Sequence, residues 1–162
     1  MTYDEWKKQH AEDKAEIIKR NNLTSAEDIV AYFRFENMVV KEVNYCPLYK
    51  DNVKCHDMEK LNCYYCGCPY FKVNDNPKTI GKTTIASVCI IDSKFKDVFY
   101  ENPDVNNVVK IHCDCSKCYI PHTITFTKQM LTQSLLDNTN LRDSNSILEY
   151  MRNKQLKWQK EI

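Results

Sequence analysis

Eight of the nine cysteines of this 162-residue chain fall in two short stretches, and each stretch also carries a histidine. The first runs from Cys46 to Cys68 and holds Cys55-His56 and Cys63-Tyr64-Tyr65-Cys66-Gly67-Cys68. The second runs from Cys113 to His122 and holds Cys115-Ser116-Lys117-Cys118. Thiolate and imidazole at this density are the donors that a soft or borderline metal ion selects. C-x-x-C spacing lets a tight turn aim two sulfurs at one ion while backbone amides screen the thiolate charge. One such pair alone would also fit a thioredoxin-like redox site. Here neither pair opens a helix after a strand, and further cysteines crowd both.

One tetrahedral ion cannot use so many donors. Cys46, Cys55 or His56, Cys63, Cys66, Cys68, Cys115, Cys118 and His122 would fill two closed four-ligand sites, with Zn²⁺ the ion that accepts mixed sulfur and nitrogen. Cys113 is then a spare or substitute ligand. The competing count uses sulfur alone: eight thiolates could hold iron-sulfur clusters, and Cys68-Pro69 resembles the cysteine-proline end of a ferredoxin run. C-x-x-C-x-C is not the ferredoxin spacing, however, and clusters would leave His56 and His122 without a role.

Other residues have plainer readings. Cys89 lies in an apolar strand and reads as a small core hydrophobe. His10 and His112 read as solvated or locally satisfied. His56 is either a ligand or a cap, while His122 reads as a ligand. Tyr64, Tyr65, Tyr70 and Phe71 flank the donors and are expected to shield them, with base stacking the alternative.

Composition narrows the function classes. Lysine and arginine (23) nearly balance aspartate and glutamate (22), which works against nucleic acid as a partner. Two glycines, Gly67 and Gly81, cannot build a phosphate-cradling loop. No H-E-x-x-H occurs, nor an H-x-E paired with P-C-x-x-C. The only carboxylates beside the donors are Asp57, Glu59 and Asp114, so the chain reads as a binding protein before an enzyme. The N-terminus lacks the layout of a secretion signal and no apolar run suits a membrane span, so a cytoplasmic protein with reduced thiols is expected.

The elements that must position the donors follow from pattern. Thr2 and Glu5 form a capping box for a helix to about Arg20 that docks through Trp6, Ile17 and Ile18. Ser25 and Asp28 start a second, with Ile29, Val30, Phe33 and Asn37 inward. Val39, Val40 and Val43 predict extended chain before Cys46. Thr83 to Ile91, Phe95 to Tyr100 and Val105 to Ile111 predict a three-stranded antiparallel sheet, with turns at Asp92-Ser93-Lys94 and Asn102-Pro103-Asp104. Thr123 to Thr127 reads as extended, Lys128 to Leu136 as helical, and a final helix begins at Ser144 or Asn145.

The residues Cys55-His56, Asn62 to Tyr70 and Cys115 to His122 together resemble the cysteine-rich small domain, a zinc-finger-like family also met fused to cobalamin-synthesis enzymes. The resemblance covers about Tyr32 to Leu136. It implies a metal-binding module with Cys46, Cys55, His56, Cys63, Cys66, Cys68, Cys115, Cys118 and His122 at the family's cysteine and histidine positions. The chain departs from the pattern in a wider gap between Cys46 and Cys55 and in a longer insert between the clusters.

The expected fold is α+β: one domain over 1–162, with N-terminal helices over 1–31, a metal-stapled core over 32–136 carrying a β insert over 72–112, and a helix over 137–162. The expected function is structural zinc in a cytosolic scaffold that binds a protein partner. The alternative is an iron-sulfur protein with a redox, sensing or cobalamin-related accessory role.

Overall fold

Thr2 starts the first helix by side-chain chemistry: its Oγ1 accepts from the Glu5 amide, and the Glu5 carboxylate accepts from the Thr2 amide. The computed structural model of the chain describes residues 1–91 and 93–136. In it α1 spans Tyr3–Arg20, and a second capping box between Ser25 and Asp28 starts α2, Ala26–Tyr32. Each box satisfies helix-end amides that would otherwise lack partners, worth about 1 kcal/mol. The helix expected from Ser144 lies outside the described residues.

The described chain packs as two compact units, Met1–Gly67 with the chain from Ile120 onward, and Cys68–Tyr119. The class is α+β, as the sequence predicts, with helices at either end of the described chain and two small sheets between them.

The first unit is helical. Arg34 separates α2 from α3, Phe35–Lys41, so Val39 and Val40 are helical and not extended as expected. Burial overrides the β preference of the valines: Phe35 and Met38, three residues apart, turn inward, and Met38 is wholly buried. A 3₁₀ turn, Pro47–Asp51, follows. The last helix, α4, spans Ile124–Leu136, so the stretch expected to be extended at Thr123–Thr127 is instead its first turn. Thr123 Oγ1 accepts from the Phe126 amide, and Thr127 Oγ1 donates to the Thr123 carbonyl at 2.9 Å. Phe33, Met38 and Leu61 anchor the core, each contributing about 1.5–3 kcal/mol through burial. Ile17 joins this core from α1. His10, read as solvated or locally satisfied, is buried between Trp6, on which it stacks, and the tilted ring of Tyr45, with ring centroids 4.8 and 4.2 Å away.

Among its described residues the second unit holds six strands. β1 (Phe71–Val73) pairs antiparallel with β4 (Ser87–Cys89), while β2 (Thr79–Ile80), β3 (Thr83–Ile85), β6 (Val109–Asp114) and β5 (Asp97–Tyr100) form a four-stranded sheet in that order. That sheet is mixed, not antiparallel as predicted, because β3 runs parallel to β6. The single strand expected from Thr83 to Ile91 breaks at Ala86, whose amide donates to Ile111 and whose carbonyl accepts from Asn74. β3 therefore belongs to one sheet and β4 to the other. The turn expected at Asn102–Asp104 sits slightly later, where Asp104 Oδ1 accepts from the Asn106 and Val108 amides. Among the described residues, no helix is long and apolar enough to cross a membrane.

Candidate metal centre

Cys46, Cys55, Cys63, Cys66 and His122 line one cavity of about 30 Å³ in the first unit, with Phe35, Tyr45, Tyr49 and Leu61 closing it on the apolar side. Room for one water-sized body is what a bound ion needs. Four of the five donors arrive on short turns. Cys46 caps the 3₁₀ turn; Cys63 and Cys66 are joined by a turn in which the Cys66 amide donates to the Cys63 carbonyl. His122 comes from the short 3₁₀ turn Ile120–His122 ahead of α4.

Asn62 holds His122 in place. The Asn62 side chain is fully buried, donating through Nδ2 to the Val30 carbonyl (2.8 Å) and accepting at Oδ1 from the Tyr64 amide (3.0 Å). Its backbone amide donates to the His122 carbonyl, and its own carbonyl accepts from His122 Nδ1 at 3.0 Å. A carbonyl only accepts, so Nδ1 carries the proton and Nε2 is left with a lone pair, the arrangement in which imidazole binds metals. Burial pushes the His122 imidazole down to about 4, with the Asn62 carbonyl opposing and His56 adding, so the ring is neutral.

Among the described residues, one group of three has all its donor atoms within 4.8 Å of one another: Cys55, His56 and His122. Cys55 Sγ lies 3.2 Å from His56 Nδ1 and 4.0 Å from His122 Nε2. These distances bracket the roughly 3.6 Å sulfur-to-nitrogen edge of a tetrahedron built on Zn–S and Zn–N bond lengths.

Burial is the largest influence on the thiols. It pushes Cys63 up to about 12, with Tyr49 opposing, and Cys66 up to about 11, where Lys14 and the Gly67 amide oppose it. Cys55 is raised in the same direction, against its own amide and that of His56. Buried thiolates need a compensating positive charge, and a divalent cation supplies it. The donor set fits a metal ion.

Models of known protein families, curated proteins and solved structures all fail to match this chain. The functional reading therefore rests on the geometry itself.

The other expected ligands lie in the second unit. Cys68 precedes β1, and Cys115 and Cys118 follow β6, joined by a turn in which the Cys118 amide donates to the Cys115 carbonyl at 2.9 Å. The unit boundary falls within both sequence motifs: Cys68 belongs to the second unit while Cys63 and Cys66 belong to the first, and His122 belongs to the first while Cys115 and Cys118 belong to the second. His112, beside Cys113, instead bonds Glu101 through Nε2 at 2.7 Å and stacks on Phe99 at 4.7 Å. Asn62 had no signal in the sequence, since nothing marks a buried asparagine between a leucine and a cysteine as a support for a distant histidine. Tyr64 packs edge-on to Phe33 at 5.1 Å and Tyr65 edge-on to Phe126 at 5.3 Å.

Proposed function

We propose that this is a metal-binding protein whose first unit closes around one Zn²⁺, held by four of Cys46, Cys55, Cys63, Cys66 and His122, with His56 at its rim. The observation that carries this reading is that these five donors line one small cavity. Zinc suits a set that mixes thiolate with neutral imidazole. Four protein ligands leave no position for water, so the ion is structural and its binding energy is folding energy. The resemblance to the cysteine-rich small domain agrees with such a module, in which the metal supports a surface offered to a protein partner in a thiol-reducing compartment.

Purification without oxygen, followed by zinc, iron and acid-labile sulfide analysis beside a visible spectrum, tests the reading. Colourless protein carrying zinc, with less zinc in Cys63→Ala, supports it. Iron with sulfide and broad visible absorbance replaces it with the iron-sulfur alternative and a redox or sensing role.

A further inference from the structure

The Cys68–Tyr119 unit contains five cysteines, Cys68, Cys89, Cys113, Cys115 and Cys118, and its topology gathers them at one end of its sheets. Phe71 on β1 pairs with Cys89 on β4, and the Ile90 amide continues the ladder to the Tyr70 carbonyl, so Cys89 sits where the chain enters from Cys68. The Cys113 amide donates to Ser87 Oγ at 2.9 Å, which places the end of β6 beside β4, two residues from Cys89. Cys113 near the end of β6 and Cys115 just past it bring their sulfurs to 3.6 Å, close to the roughly 3.8 Å sulfur-to-sulfur edge of a tetrahedral zinc thiolate. Ser93 Oγ lies 3.5 Å from Cys118 Sγ in the buried interior.

We propose that this unit holds a metal ion of its own, a Zn²⁺ bound by sulfur alone, in which Cys68, Cys115 and Cys118 are completed by Cys89 or Cys113. Its only histidine is His112, already engaged by Glu101 and Phe99, so no imidazole competes for the ion. Burial pushes the Cys68 thiol up, and against it the amides of Tyr70 and Phe71 bond the Cys68 sulfur. The Cys118 amide donates to the Cys115 carbonyl at 2.9 Å, so a tight turn carries Cys118 back toward Cys115. Each thiol that binds passes its proton to solvent. Among the described residues, no three sulfurs of this unit lie within 4.8 Å of one another, so an ion bound here would draw the cysteines together. Cys89 thereby gains a role that its strand pattern does not predict, and Cys113 the part of substitute ligand that the donor count left open.

The site does not depend on the one in the first unit, and the experiment separates them. Zinc per chain is measured in the wild type, Cys63→Ala, Cys115→Ala and the double variant Cys89→Ala/Cys113→Ala, each purified as the full chain. The expected result is that Cys115→Ala and the double variant each lose about one ion per chain and keep the ion that Cys63→Ala loses. Wild-type zinc content in Cys115→Ala or in the double variant overturns the proposal while leaving the first site intact. Zinc lost only from Cys115→Ala and the double variant upholds it and overturns the first site instead. Because an alanine variant can fail to fold, Co²⁺-loaded wild type provides a second measurement. Peptide-resolved alkylation should show Cys68, Cys115, Cys118 and one of Cys89 and Cys113 protected by the metal and released by chelation. Equal alkylation with and without the ion overturns the site.

Discussion

Asn62 and His122, sixty residues apart, hold each other at both ends: the Asn62 amide donates to the His122 carbonyl, and His122 Nδ1 donates to the Asn62 carbonyl, each at 3.0 Å. This reciprocal pair fixes the imidazole so that Nε2 faces Cys55. The Asn62 side chain supports the pair by bonding Val30 and Tyr64.

Asn62→Ala should therefore cost more than its size implies. It removes two buried side-chain hydrogen bonds and leaves the Val30 carbonyl and Tyr64 amide unsatisfied, a loss of about 2–4 kcal/mol. Urea unfolding of the zinc-loaded protein measures it, and the zinc affinity should fall with the stability. An unchanged midpoint would show that Asn62 does not support the site.

Gly67 adopts φ +75°, and a Cβ there would lie 2.7 Å from the Trp6 ring. Gly67→Ala carries both backbone strain of about 1 kcal/mol and a clash with α1. The substitution should lower the melting temperature, and it should lower it less in a Trp6→Ala background, where only the strain remains. Equal costs in both backgrounds would remove Trp6 from the explanation.

His10 gives the fold a pH dependence of known sign. Burial pushes its imidazole down from 6.5 to about 4, with Lys14 adding and Asp13 opposing, and it packs against Trp6 and Tyr45. The folded state keeps the ring neutral while the unfolded chain protonates it. Its contribution is thus fully present above pH 6.5 and is lost as pH falls toward 4. Between pH 7 and 5 the loss is about 2 kcal/mol. His10→Phe fills the same stack without a titrating ring, so the wild type should lose that much more stability than the variant across the interval. Parallel pH profiles would sink the claim.

Chelation should destabilise the first unit. Removing zinc leaves Cys63 and Cys66 as buried thiols and returns the ion's binding energy, so the melting temperature should drop and recover when zinc is restored. Cys66→Ala should show the low value from the start and fail to respond to zinc. A variant with wild-type melting and wild-type metal content would overturn the structural role.

The local rules visible along the chain served well where a few neighbouring residues decide the outcome. Thr2 with Glu5 and Ser25 with Asp28 are complete capping boxes within four residues, and both helices start there. Local rules failed where burial outvotes propensity: Val39 and Val40 joined a helix because Phe35 and Met38 had a core to enter, and Thr123–Thr127 was drawn into α4 by Phe126, Met130 and Leu131.

The sequence by itself determined which donors are on offer, because donor type and C-x-x-C spacing are written in consecutive residues. It also determined the α+β class and the helix starts. Only the tertiary structure decided which donors share a neighbourhood. Cys66 and Cys68 are two residues apart yet belong to different units, while Cys55 and His122 are sixty-seven apart and 4.0 Å from each other. The physical reason is that a ligand set is chosen by chain reversal: the Asn62–His122 pair returns the end of the second motif to the first unit, and the β1–β4 ladder brings Cys89 to the neighbourhood of Cys68. No local spacing rule encodes either event.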